Sequence, residues 1–380
     1  MSSDKVTTFL DSLREEVPDE SQTRVLDFED LWERKLWHQL TDALIDYFSL
    51  PESANYRIAI FKTFVDSFAS KINQLKYTKL GLMASTQCPD NERLAFLSGL
   101  VEKVNKPDSQ DAYVFALAEA AAQKLRLKDF DGAQKDLATA QSVLDTFDSV
   151  ETIVHAAFYK VNSDYYQSKL DFATFYKNAL LYLACVDIED IPKEERTQRA
   201  YDLSIAALVS DSIYNFGELL LHPILDSLRD TDHQWLRDLL FAFNKGDLVA
   251  YDSLVGNLTK DSLLSQNSSF LYEKISLAAL TEAAFCRPSN DRSMTFEYIR
   301  LQTKVQPDQV EHIIMKALSL GLLKGSIDQI AQVAHITWVQ PKVLDMNQID
   351  QMRVRLQEWD SGVNQLGHWI EKAGQDVWAA

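Results

Sequence analysis

The stretch from Thr295 to Pro341 reads TFEYIRLQTKVQPDQVEHIIMKALSLGLLKGSIDQIAQVAHITWVQP, and local signals within it select a fold. Thr295 can cap a short helix over Phe296 to Gln302. Pro307 then sits at a first-turn position, with Asp308 and Glu311 near the positive end of a second helix. Val310, Ile313, Ile314, Ala317 and Leu318 give that helix one apolar face, and Gly321 is a fitting residue to end it. Leu322 to Asp328 and Gln332 to Val339 are short β-compatible runs that carry the β-branched residues Ile327, Val333, Ile336, Thr337 and Val339, with Pro341 closing the second. Helix, turn, helix and β-hairpin in that order make a winged helix. Its last strand, with Gln332, Ala334, Ile336 and Trp338, is expected to lack a second neighbour within the chain, which would leave an edge open to a partner's strand.

Upstream, a helical pattern begins at Leu31 and returns in units of roughly 35 to 45 residues, each opened by a polar turn. In Leu125-Arg-Leu-Lys-Asp-Phe-Asp-Gly-Ala133, the residues Leu117, Ala121, Ala122 and Leu125 precede the turn and Ala133, Leu137, Ala140 and Leu144 follow it at helical spacing. Gly132 is expected to permit the turn's backbone geometry and Ala133 the close approach of the two helices. The layout recurs at Lys169-Leu-Asp-Phe-Ala173, at Asp211-Ser-Ile-Tyr-Asn-Phe216 and at Asn244-Lys-Gly-Asp-Leu-Val-Ala250, and a weaker copy stands at Lys35-Leu-Trp-His-Gln-Leu40. Helix pairs repeated in this way predict a mostly α chain: a tetratricopeptide-like helical repeat solenoid followed by the winged helix. The expected boundaries are 1–165 for the N-terminal repeats, 166–290 for a second helical part, 291–345 for the winged helix and 346–380 for a terminal helix.

That terminal segment has the most regular pattern in the chain. Ile349, Met352, Leu356, Trp359, Val363, Leu366 and Ile370 recur at alternating spacings of 3 and 4, a heptad seam along one helix. Gly362 and Gly367 each weaken such a helix by roughly 1 kcal/mol relative to Ala. Arg353 and Arg355 are both basic where a two-stranded zipper alternates charge, so the seam suits a bundle of several helices.

Composition narrows the function. Gly (11) and Pro (9) are scarce, which favours long helices over hairpins. The longest apolar stretch, Ala179 to Val186, falls far short of the roughly 20 residues that span a bilayer. Asp4 to Glu20 is polar and acidic, unlike a secretory leader, and an intracellular chain with no membrane partner is the expectation. Cys88, Cys185 and Cys286 are too far apart for a CxxC pair and are expected to be buried thiols. A net charge of −18 repels phosphate backbones. Residues 291–345 are neutral, with Asp291, Glu297, Asp308, Glu311, Asp328 and Asp345 balanced by Arg292, Arg300, Lys304, Lys316, Lys324 and Lys342, so a protein partner is favoured over nucleic acid. No phosphate loop, HExxH or GxSxG is present, and the seven histidines are scattered one to a segment. No catalytic residue, cofactor or metal site is expected.

A helical-repeat region, a winged helix and a long terminal helix form the layout of PCI-domain proteins, found in the proteasome lid, the COP9 signalosome and translation initiation factor three. Ala200-Tyr-Asp-Leu-Ser-Ile-Ala-Ala-Leu208, Ile213-Tyr-Asn-Phe-Gly-Glu-Leu-Leu220 with His222-Pro-Ile224, Ala317-Leu-Ser-Leu-Gly-Leu-Leu-Lys-Gly-Ser-Ile-Asp328 and Trp338-Val-Gln-Pro341 resemble the proteasome-lid branch. The resemblance implies a scaffold without catalysis, located in cytoplasm and nucleus as part of a hetero-oligomer. Its implied partners are a PCI neighbour at the winged helix, a deubiquitinase pair at the terminal helix and a nearby ubiquitin receptor. A PCI subunit of another assembly and a winged-helix nucleic-acid binder are the competing readings.

Overall fold

The computed structural model describes residues 3–147, 151–229, 231–287, 291–341 and 346–378. The chain forms two compact units, Met1–Ile191 and Pro192–Ala380. The boundary expected at 165/166 falls inside a helix; that helix pairs with the next one, and the first unit therefore continues to Ile191.

The first unit is helical throughout its described residues: α1 (Ser3–Glu16), α2 (Asp19–Glu33), α3 (Trp37–Ser49), α4 (Arg57–Ala59), α5 (Asp66–Phe68), α6 (Gln74–Ser85), α7 (Asp90–Val104), α8 (Gln110–Arg126), α9 (Phe130–Leu144), α10 (Thr152–Ser168) and α11 (Phe172–Cys185). A π-helical turn, Ile60–Val65, joins α4 to α5. The core starts earlier than the pattern at Leu31 suggested. Val6, Leu10, Leu13 and Val17 are all buried, a stripe at 4, 3 and 4 spacing that surrounding acidic residues obscure in the sequence.

The recurring turn has a definite chemistry. Lys128 (φ 63), Leu170 (φ 59) and, in the second unit, Gly246 (φ 64) take the left-handed conformation, each followed by an aspartate. The aspartate N–H closes the preceding helix: Asp129 donates to Lys124 O at 2.9 Å, Asp171 to Tyr166 O at 3.1 Å and Asp247 to Ala242 O at 2.9 Å. Its carboxylate then caps the next helix, accepting from Gly132 N (3.0 Å), Thr174 N (3.2 Å) or Val249 N (2.9 Å) respectively. One residue thus ends one helix and begins the next, so the connection is short and the pair is antiparallel. Gly132 lies inside α9, and the left-handed residue of its turn is Lys128; a Cβ at Gly132 would meet the Asp129 carboxylate at 2.3 Å, so the glycine makes room for the cap.

The second unit contains α12 (Lys193–Val209), α13 (Gly217–Leu221), α14 (Gln234–Lys245), α15 (Leu248–Leu254), α16 (Ser262–Gln266), α17 (Ser268–Phe285), β1 (Ser293–Thr295), α18 (Phe296–Thr303), α19 (Val310–Ser319), β2 (Leu323–Asp328), β3 (Val333–Val339) and α20 (Met346–Trp378). The turn expected at Asp211–Phe216 departs from the repeat: no residue in it has a positive φ, and the five-residue α13 and the 3-10 turn Pro223–Leu228 replace a full returning helix. His222 marks the break between them, its Nδ1 accepting from Ile224 N at 3.2 Å.

The winged helix forms as the sequence predicts, with one addition. Its sheet has the order β1-β3-β2, both pairs antiparallel. The extra strand β1 is too short for any periodicity to reveal, and its last residue, Thr295, also caps α18 by accepting from Tyr298 N at 3.3 Å. The sheet, α18, α19 and the C-terminal half of α17 enclose a core of Met294, Ile299, Val310, Ile314, Leu323, Ala334 and other apolar side chains.

Candidate interaction surfaces

Strand β3 was expected to have an open edge; β1 occupies it. Ser293 pairs with His335, Met294 with Ala334 and Thr295 with Val333, while Ile336 N donates to Arg292 O at 3.3 Å and Phe296 N to Gln332 O at 2.9 Å. Of the four residues singled out on this strand, Ala334 and Ile336 are buried in the core, and Gln332 (φ 56) turns the chain into the strand. Only Trp338 presents apolar surface, with Lys324 Nζ 4.8 Å from its ring. The unpaired edge is on the outer strand β2, where Lys324 and Gly325 are exposed. A bulge between Lys324 and Gly325 leaves Thr337 outside the pairing register, its Oγ1 donating to Lys324 O at 3.1 Å, and resets the alternation, so that Ile336 and Val339 both face inward. Gly325 is required at the bulge because a Cβ there would meet His335 O at 2.1 Å.

The β2–β3 tip is held firmly. Asp328 Oδ1 accepts from Ile330 N (3.0 Å) and Ala331 N (2.9 Å), and Gln329 Nε2 donates to Glu311 on α19 (3.0 Å). Lys316, the one base from Val310 to Ser319, is paired with Glu273 of α17.

Helix α20 differs from every other long helix. At 33 residues it is about 50 Å long, and every described side chain from Ile349 to Ala373 is exposed. The seam residues Ile349, Met352, Leu356, Trp359, Val363, Leu366 and Ile370 retain between 46% and 68% of their surface. Trp369 beside Ile370 widens the stripe. Gly362 and Gly367 have no atoms outside the helix within 4 Å of a built Cβ. Seven apolar side chains are thus aligned on one face that no described residue covers.

No group of three or more His, Cys, Asp or Glu side chains among the described residues could hold a metal, and no helix among them is long and apolar enough to cross a membrane. The cysteines are not buried as expected: Cys88 and Cys185 are half-buried and Cys286 is exposed. Three of the histidines have separate local partners, His335 with Ser293 Oγ (3.0 Å), His155 with the Tyr159 ring and His233 with the Tyr201 ring. Sequence reasoning missed one charged residue, the buried Lys274 of α17. Its only signal was a lysine leading into a mostly apolar run, Ile275 to Leu280.

Helical repeats, a three-stranded winged helix and an uncovered terminal helix define a PCI-type assembly subunit, and residues 252–338 match the family profile described as the PCI domain. Residues 24–240 match the PSD13 N-terminal repeats and residues 342–374 the Rpn9 C-terminal helix. The chain belongs to the Rpn9 family of 26S proteasome regulatory subunits. It is 41% identical to the probable 26S proteasome regulatory subunit rpn9 of Schizosaccharomyces pombe, over 98% of this chain and 97% of that one. Identity to the 26S proteasome regulatory subunit RPN9 of Saccharomyces cerevisiae is 38%, over 98% of both chains. Identity to the 26S proteasome non-ATPase regulatory subunit 13 of Dictyostelium discoideum is 36%, over 94% of this chain and 95% of that one.

Proposed function

We propose that this chain is a non-catalytic scaffold subunit of the proteasome regulatory particle lid, supporting lid assembly and thereby ubiquitin-dependent protein degradation in cytoplasm and nucleus. The observation that carries the reading is the uncovered seam of α20. Each of its side chains would gain roughly 1.5 to 3 kcal/mol on full burial, and no described part of the chain covers them. The partners that satisfy such a seam are the terminal helices of other lid subunits, among them the deubiquitinase pair. The open edge of β2 suits a neighbouring PCI winged helix, an interface moved from β3 by the pairing with β1. A ubiquitin receptor would lie nearby.

The test is incorporation of a tagged chain into the regulatory particle. Deleting Asn347 to Ala380, or combining Trp359→Asp with Leu366→Asp, is expected to abolish incorporation while the isolated chain melts within about 2 °C of wild type. If the altered chain assembles normally, α20 is not an assembly element and the reading fails.

A further inference from the structure

Away from these surfaces, one charged side chain is fully enclosed. Lys274 is 1% exposed. Its ammonium donates to three backbone carbonyls at the end of α12: Ala207 O at 2.8 Å, Leu208 O at 3.1 Å and Ser210 O at 2.6 Å. Three N–H bonds meet three acceptors at a helix C-terminus, where carbonyls lack intrahelical partners and the helix dipole favours positive charge. The rings of Tyr214, Phe216 and Phe270 lie 5.3, 5.4 and 5.6 Å from the nitrogen, within cation–π reach. Burial draws the amine down to about 7, against the opposing pull of Asp211.

The position of this cluster gives it significance. The helices that end at Arg126, Ser168 and Lys245 are closed by a left-handed residue and an aspartate a few positions along the chain. Helix α12 has no left-handed residue, and no backbone N–H of Asp211 closes it: Ser210 is extended (φ −62, ψ 136), and Lys274 of α17 donates to the last carbonyls. Beyond Lys274, the same α17 contributes Leu277, Leu280, Ala283 and Ala284 to the winged-helix core, and Tyr214 packs against that core as well. Lys274 therefore stands where the end of α12, the segment Ser210–Phe216 and the root of the winged helix meet.

We propose that Lys274 is a buried latch that caps α12 from α17, holds Ser210–Phe216 closed and, through Tyr214, fixes the winged helix on the helical part of the second unit. Withdrawing the amino group opens this joint locally while the winged helix keeps its own fold. The inference concerns the free chain and does not depend on the assembly role.

Hydrogen exchange of the full chain, followed by mass spectrometry, tests it with Lys274→Met, which keeps the stem and removes the donors. Amide protection over residues 205–216 is expected to fall roughly tenfold or more, with strands β2 and β3 within about twofold of wild type. Lys274→Gln, which retains two N–H donors, is expected to lie between the two; it also serves if the methionine variant does not fold. Tyr214→Leu is expected to loosen 210–216 and leave the last turn of α12 protected. Wild-type exchange over 205–216 in either Lys274 variant overturns the proposal. So does an equal loss of protection through residues 323–339, which would make Lys274 a general stabilising residue and not a latch.

Discussion

Helices α17 and α20 are both rich in apolar residues, yet they occupy opposite situations. In α17 every residue from Lys274 to Thr281 is buried, so for two turns no face meets solvent. In α20 every described side chain is exposed, including a seven-residue seam as regular as any in the chain. The first helix finds all its partners within its own chain, down to the carbonyls that take up its one buried charge. The second finds none among the described residues, and its stripe stays open to solvent. The contrast separates residues buried within the fold from residues that the proposed function assigns to the assembly.

The contrast can be broken most forcefully by truncating one apolar side chain in each helix. Leu280→Ala leaves a cavity in the winged-helix core and is expected to cost about 2 to 5 kcal/mol, read as a lowered urea midpoint. Trp359→Ala removes a larger side chain and is expected to change the midpoint of the isolated chain by less than about 0.5 kcal/mol. Equal losses would mean that α20 packs on its own chain in solution.

Glycines sharpen the same comparison with a smaller effect of opposite sign. Gly246 has φ 64, and a Cβ there would meet Ala279 of α17 at 2.6 Å, so Gly246→Ala is expected to cost more than about 1 kcal/mol in thermal unfolding. Gly362 has open space around it, and Gly362→Ala is expected to strengthen α20 by about 1 kcal/mol, seen as added helical circular dichroism. A loss of helicity in the second variant would show that the glycine serves an unseen contact.

Capping gives the next step down. Asp247→Ala removes the oxygen that accepts from Val249 N and Ala250 N beside α17 and is expected to cost about 1 kcal/mol by chemical denaturation. Asp350→Ala, an exposed residue paired with Arg353 on α20, is expected to change the same measurement by less than about 0.5 kcal/mol.

The subtlest difference is in pH. Lys274 has a folded pKa lowered from 10.5 to about 7, so between those values the unfolded chain binds more protons than the folded one. Stability contributed by this residue therefore rises with pH through that window and is lost again as pH falls toward 7. Asp211 opposes the shift, and Tyr214, itself raised by burial with Glu273 and Asp211 adding, faces the same space. Urea midpoints at several pH values are expected to show this slope in wild type and its loss in Lys274→Met; identical slopes would refute it. Nothing comparable is expected from α20.

Much of this molecule could be read from residues a few positions apart. Phe130, Phe172 and Leu248 mark turns whose aspartate caps act over three residues, and the winged-helix elements follow from Thr295, Pro307, Gly321 and Pro341. The α20 seam is a matter of 3 and 4 spacing alone, and the described helix extends on both sides of it. Asp211–Phe216 looked like another copy of the turn because its composition is similar, but without a left-handed residue it depends on a lysine 64 positions away from Ser210.

Capping, helical period and turn chemistry act over three to seven residues, and for that reason helix pairs, the winged helix and the terminal seam are written in the order of the amino acids. Which strand edge is filled, which lysine is enclosed and which apolar stripe stays uncovered depend on groups brought together from distant parts of the chain. Three residues at Ser293–Thr295 close the edge of β3, and nothing in the described structure closes the seam of α20. Both outcomes follow from burial, a property of the packed chain that no local pattern specifies.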